Sequence, residues 1–122
     1  MRLLKITDQF QRIIDLAARL AEAVEADALL LLLQRPVDWE QLKTVVPDVK
    51  LLLAADTADE IEGAAEAGFS TVVLNMTEGP VYEKLTQALL ECVADEILAP
   101  GSRVVAIYSG FGIAISLAVV AL

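Results

Sequence analysis

The residues of this chain best placed to do chemistry are the polar ones that close its apolar runs. Ala28–Leu33 runs out at Gln34 and Arg35, and Val49–Ala54 gives way to Asp56 and Thr57. Thr71–Leu74 is followed by Asn75 and Thr77, and Arg103–Tyr108 by Ser109 and Gly110. A guanidinium and glycine-borne N–H donors are the groups an anion requires. Ordinary strand-end polar groups and helix caps account for the same residues, with Thr57 placed as a cap. The carboxylates Asp56, Asp59, Glu60 and Glu62 gather at one helix start. They could hold a hard cation, but stabilising the positive end of a helix is the expected role.

Catalytic signatures are missing. The chain has no histidine, so it lacks the usual general base, the His-activated nucleophiles and the commonest transition-metal ligand. Ser109 is no nucleophile elbow, because Ile107 stands where that turn needs glycine. Ser109-Gly110-Phe111-Gly112 also lacks the dinucleotide spacing, and it follows the fourth apolar run, not the first. Cys92 is the single cysteine and lies on an apolar helix stripe, which predicts a buried, unreactive thiol. No catalytic residue, metal or cofactor is expected in this chain.

Length and composition point to one domain over residues 1–122, large enough for a real core. Hydrophobic residues make up 57% and aromatics only 5%, so the core is aliphatic. A net charge of -9 without a basic cluster excludes nucleic acid and an anionic membrane surface as partners. One cysteine forms no internal disulfide, and the amino end lacks a secretory apolar core. Both features predict a cytoplasmic protein.

The elements that must position these residues follow from periodicity. Phe10, Ile13, Ile14, Ala17, Leu20, Ala21 and Val24 recur at helical spacing behind a predicted Asp8/Gln11 capping box. Ala28–Leu33 is short and continuously apolar, which predicts a strand buried on both faces despite its leucines. A short helix spans Asp38 to Val46, with Trp39 anchoring it to the sheet and Pro47 ending it. Val49–Ala54 is the second strand. Thr57 and Glu60 then form a capping box for a helix with Ile61, Ala64 and Ala65 inward, stopped by Gly68. Thr71–Leu74 is the third strand. Pro80 falls in the first turn of the longest helix, whose stripe is Val81, Leu85, Ala88, Leu89, Cys92, Val93 and Ile97. Arg103–Tyr108 and Ile115–Val120 complete five strands. The alternation predicts a three-layer α/β/α sandwich with a mostly parallel sheet.

The end of the chain carries an alternative. Val104–Leu122 is nineteen residues without a charge, nearly the length of a membrane anchor. Against that, Ser109-Gly110-Phe111-Gly112 divides two β-rich halves with turn residues, which favours a strand, a turn and a closing strand.

Ala99-Pro100-Gly101-Ser102-Arg103-Val104-Val105-Ala106-Ile107-Tyr108-Ser109-Gly110-Phe111-Gly112, reached from a long helix, resembles the end of the pyruvate kinase C-terminal domain. The helix and strand order before it is similar too, over essentially the whole chain. Ala26-Asp27-Ala28-Leu29-Leu30-Leu31, Ala54-Ala55-Asp56-Thr57, Glu66-Ala67-Gly68-Phe69 and Val105–Phe111 resemble a bacterial variant of this domain found N-terminal to diadenylate cyclase catalytic domains. The resemblance implies strand order 3-2-1-4-5 with strand 5 antiparallel, and it implies a non-catalytic regulatory or assembly domain. The cyclase Asp-Gly-Ala and Arg-His-Arg signatures are absent from this chain. Two departures stand out. Gln34-Arg35-Pro36-Val37-Asp38 replaces the phosphate-gripping loop of pyruvate kinase, which removes the expectation of its sugar-phosphate site. Gly112-Ile113-Ala114-Ile115 is apolar where the variant is polar, and the chain then stops, which suggests a fragment of a larger protein.

In that strand order the first and fourth strands flank the point where connections reverse, and ligands gather there beyond the carboxyl ends. Arg35 and the Ser109–Gly112 turn would face each other, so the expected ligand site is Arg35, Asp56, Thr57, Ser109 and Gly110, for a small anion. The expected partner is a second copy of the chain, paired through the last, edge strand. The alternative is a free-standing domain that binds a small anion or nucleotide in the same crevice.

Overall fold

The computed structural model of the chain describes residues 6–34, 36–46, 50–76, 78–110 and 114–121. Among these residues three α-helices occur: α1 (Asp8–Ala23), α2 (Trp39–Val45) and α3 (Val81–Ala94). The strands are β1 (Ala28–Leu33), β2 (Leu51–Ala55), β3 (Ser70–Val73), β4 (Arg103–Gly110) and β5 (Ala114–Ala121). The first four form a parallel sheet in the order β3-β2-β1-β4, and β5 pairs antiparallel to β4.

The aliphatic runs become strands because helices cover both sides of the sheet, so every position finds an apolar neighbour. Successive strand residues point to opposite faces. Leu29, Leu31, Leu33, Leu53, Ala55, Val105 and Ile107 meet Phe10, Ile14, Ala17 and Ala21 of α1 and Leu42 of α2. Ala28, Leu30, Leu52, Ala54, Val72, Val104 and Ala106 meet Leu85, Ala88, Leu89 and Cys92 of α3 on the other face. At the centre, Leu29, Leu30, Leu52 and Leu53 are fully buried. The register Leu31↔Leu53 and Leu31↔Ile107 aligns β2 and β4 on either side of β1.

Several local expectations are corrected. The cap of α1 is Thr7, whose Oγ1 accepts from the Phe10 N–H at 3.1 Å, and Asp8 is the first helical residue. Asp8 still favours the helix dipole from there. The helix expected after Thr57 is one turn of 3-10 helix, Ala58–Ile61, followed by turns to Gly68. The chain leaves helical geometry at Glu62 (ψ 129°), and Gly63 follows at φ +87°, where a Cβ would sit a tight 3.2 Å from Trp39 Nε1. Ile61 and Ala64 are buried as expected, but Ala65 is exposed. Pro80 is the N-cap of α3, not a residue of its first turn. The Val104–Leu122 stretch contributes to β4 and β5, and β4 extends through Gly110. Among the described residues no helix is long and apolar enough to cross a membrane.

Both long helices end in the same way. At the end of α1 the Ala26 N–H donates to Ala21 O (2.8 Å) and the Glu25 N–H to Glu22 O (3.2 Å). At the end of α3 the Ile97 N–H donates to Cys92 O (2.8 Å) and the Glu96 N–H to Val93 O (3.1 Å). This double closure needs a left-handed residue, usually glycine. Here Glu25 (φ 55°) and Glu96 (φ 61°) occupy it.

Candidate functional site

The carboxyl ends of the parallel strands lie at one rim of the sheet. At the tip of β2, Asp56 is mostly buried, with its side chain 16% exposed, and its Oδ2 accepts from Lys84 Nζ at 2.7 Å. Lys84 is itself 13% exposed and comes from the first turn of α3. The Asp56 carbonyl accepts from the Asn75 N–H at 2.9 Å, where the chain leaves β3 with Asn75 at φ 56°. Asp56 therefore ties down both ends of the connection between β3 and α3. Its other oxygen, Oδ1, is buried and has no hydrogen-bond partner among the described residues.

Thr57 is occupied structurally, since its N–H donates to Glu60 Oε1 at 2.8 Å as part of the predicted capping box. Ser109 and Gly110 are the last residues of β4 and lie in register with Ile115 and Ala114 of β5. The free turn expected at Ser109–Gly112 is thus corrected at its start, because the antiparallel ladder extends over these two residues. Phe111, Gly112, Thr77 and Arg35 lie outside the described residues. The structure joins Asp56 to Thr57, while β1 lies between them and Ser109, two strand spacings or about 10 Å across the sheet.

Lys84 escaped the sequence reading, which followed the apolar stripe of its helix. A signal was present. A cation in a first helical turn opposes the helix dipole, so its position calls for another partner.

The carboxylates around Asp56 have separate tasks. Asp56 pairs with Lys84 and Glu60 closes the cap, and among the described residues no three acidic or thiol groups converge on one cation site. Trp39 packs against the α1-side core and holds α2 to the turn after the 3-10 helix. Its Nε1 donates to Glu62 O at 2.7 Å, and its ring centroid lies 6.1 Å from that of Phe69. Beside it an open groove of about 610 Å³ is lined by Asp38, Glu40, Glu62 and Glu66, with no cation among the described residues that line it. That charge repels phosphate, so the groove is a poor anion site. Cys92 is buried, and burial foremost, with the Asp95 and Glu91 charges adding and Lys50 opposing, pushes its thiol up to about 11.

Comparison with known proteins gives the fold and the family. No curated protein matches the chain. A pyruvate kinase from Cryptosporidium parvum superposes with a TM-score of 0.67 at 15% identity, over 91% of this chain and 22% of the kinase. The structure of Cryptosporidium parvum pyruvate kinase in complex with ADP gives 0.70 at 14% identity, over 91% and 23%. A third structure of that enzyme gives 0.66 at 14%, over 91% and 22%. The chain spans less than a quarter of these kinases, and identity this low shows the fold alone, which is that of their C-terminal domain. A family model described as "Probable sensor domain DacZ_P" matches residues 9–114. With most of its length inside that match, the chain belongs to the DacZ_P family, the regulatory domain that stands N-terminal to diadenylate cyclase catalytic domains.

Proposed function

We propose that this chain is the accessory sensing domain, over residues 1–122, of a larger cytoplasmic diadenylate-cyclase-type protein. It binds a small anionic ligand at the carboxyl rim of its sheet and passes occupancy on through self-association. The proposed contacts are Arg35, Ser109 and Gly110 on the β1/β4 side of the switch point and Asp56 and Thr57 on the β2 side. The observation that carries this reading is the Asp56–Lys84 pair at that rim. Two charges are withdrawn from solvent at 2.7 Å, and one carboxylate oxygen is left unmatched. Buried polar atoms almost always find partners, so an unmatched acceptor calls for a donor group, such as a hydroxyl, on the ligand.

The five-strand order 3-2-1-4-5 belongs to the same reading. It makes β5 an edge strand that carries no charged or proline residue, which is the composition that pairs with another strand. A second copy, related by a two-fold axis, would extend the sheet through β5.

A thermal-shift series with sugar phosphates and nucleotides tests the sensing role. A rise in melting temperature is expected for at least one anion, and it should disappear in Arg35→Ala and Ser109→Ala. Sedimentation velocity tests the assembly role. A dimer should dissociate when Leu117, in mid-β5, is replaced by lysine. A flat ligand series together with a monomeric protein would remove both parts of the reading.

A further inference from the structure

We propose that Asp56 is the recognition group for a sugar hydroxyl, so that the ligand sensed at this rim carries a ribose-like vicinal diol. The inference rests on the sensing role above and names its ligand class. A carboxylate accepts hydrogen bonds and donates none, so the group that completes Oδ1 must be a donor. Lys84 occupies Oδ2 and the Asn75 N–H holds the Asp56 carbonyl, so the carboxylate is fixed in place while Oδ1 stays unmatched. Asp56 stands at the tip of the strand beside central β1, one spacing of about 4.8 Å from the strand that borders the switch point. Ligands of open parallel sheets gather beyond the strands' carboxyl ends, and in the dinucleotide-binding folds among them an acid at the tip of the second strand holds a ribose hydroxyl. Asp56 stands at that place, although the glycine fingerprint of those folds is absent here.

The burial of Oδ1 adds a mechanism. Oδ1 belongs to the carboxylate whose other oxygen holds Lys84, and the Asp56 carbonyl holds Asn75, so a hydroxyl that reaches Oδ1 bears on both contacts. Those contacts secure the two ends of the β3–α3 connection. Ligand occupancy is thereby coupled to the seating of α3, as a sensor requires, because a ligand shifts only an equilibrium whose states it binds differently.

The test titrates the full chain with the four ribonucleoside 5′-monophosphates and their 2′,3′-dideoxy counterparts by calorimetry. At least one ribonucleotide should bind about tenfold more tightly than its dideoxy partner, since the missing hydroxyls leave a buried acceptor unpaired. In Asp56→Asn that preference should vanish while dideoxynucleotide binding persists. Equal binding of ribo and dideoxy forms overturns the hydroxyl assignment and leaves anion sensing intact. The assignment is also overturned if Asp56→Asn weakens both forms equally. Absence of any nucleotide binding overturns the assignment, and the sensing role falls with it if sugar phosphates and inorganic phosphate also fail. Should Asp56→Asn not fold, the wild-type comparison decides alone.

Discussion

The two rims of the sheet treat charge in opposite ways. At the amino rim two cations are used to finish helices. The Arg103 guanidinium donates to Val24 O at the end of α1, and Lys50 Nζ donates to Ile97 O just past α3. The Asp27 N–H donates to Arg103 O at 2.7 Å and the Arg103 N–H donates to Asp27 Oδ2 at 2.9 Å, which ties the entries of β1 and β4 together. At the carboxyl rim the Asp56–Lys84 pair is sequestered, and it still leaves one oxygen unmatched. One rim is built for holding the layers together. The other keeps an unfinished contact, which is where a ligand can still contribute.

The sharpest way to break that contrast is Lys84→Met. It strands the Asp56 charge in a poorly solvated place and should cost about 3 kcal/mol in urea unfolding. Adding Asp56→Asn should recover most of the loss, because the uncompensated charge is then gone. If the single variant is nearly neutral, the carboxyl-rim pair is no more special than a surface ion pair. A smaller effect of the opposite sign is expected at the amino rim. Glu25→Gly and Glu96→Gly relieve the left-handed backbone and remove an acidic group from a negative helix end, so each should stabilise by about 1 kcal/mol. The gain should be visible as a higher urea midpoint with an unchanged slope.

Smallest is the alkaline behaviour of Cys92 in α3. The folded thiol ionises near 11, above its ordinary value of 9.0. Its contribution is therefore full below pH 9 and declines as pH rises from about 9 through 11, where the unfolded chain loses the proton first. Cys92→Ala should remove that part of the alkaline decline. At pH 8 the native thiol should resist a disulfide reagent that labels the unfolded chain at once.

Much of the fold was legible in the runs themselves. Ala28–Leu33 is too short for a buried helix and too apolar for a half-exposed strand, so only a doubly covered strand suits it. Those same runs gave the α/β layers and the parallel pairing of the first four strands. Local endings were harder. Thr7 and Asp8 are equally good caps, and only tertiary packing chooses the register of the first turn. The capping box at Thr57 predicts a full helix, but the turn ends at Ile61, and no local pattern records the left-handed Gly63 or the indole of Trp39, 24 residues upstream, that lies beside it. At the site, Asp56 and Thr57 were readable as strand-end residues. Lys84 was not, because its partner lies 28 residues away and no periodicity records a single long-range ion pair.

Trp39 is the one tryptophan of the chain, hydrogen-bonded to Glu62 and tilted at 56° against Phe69. That makes it a built-in optical gauge for one layer. Its emission follows the seating of α2 and the turn after the 3-10 helix, while α3 lies on the far face of the sheet. Fluorescence and far-ultraviolet dichroism recorded on one sample therefore separate an event confined to the Asp56–Lys84 side from loss of the whole structure. The former would change the dichroism of α3 and leave the indole spectrum where it was.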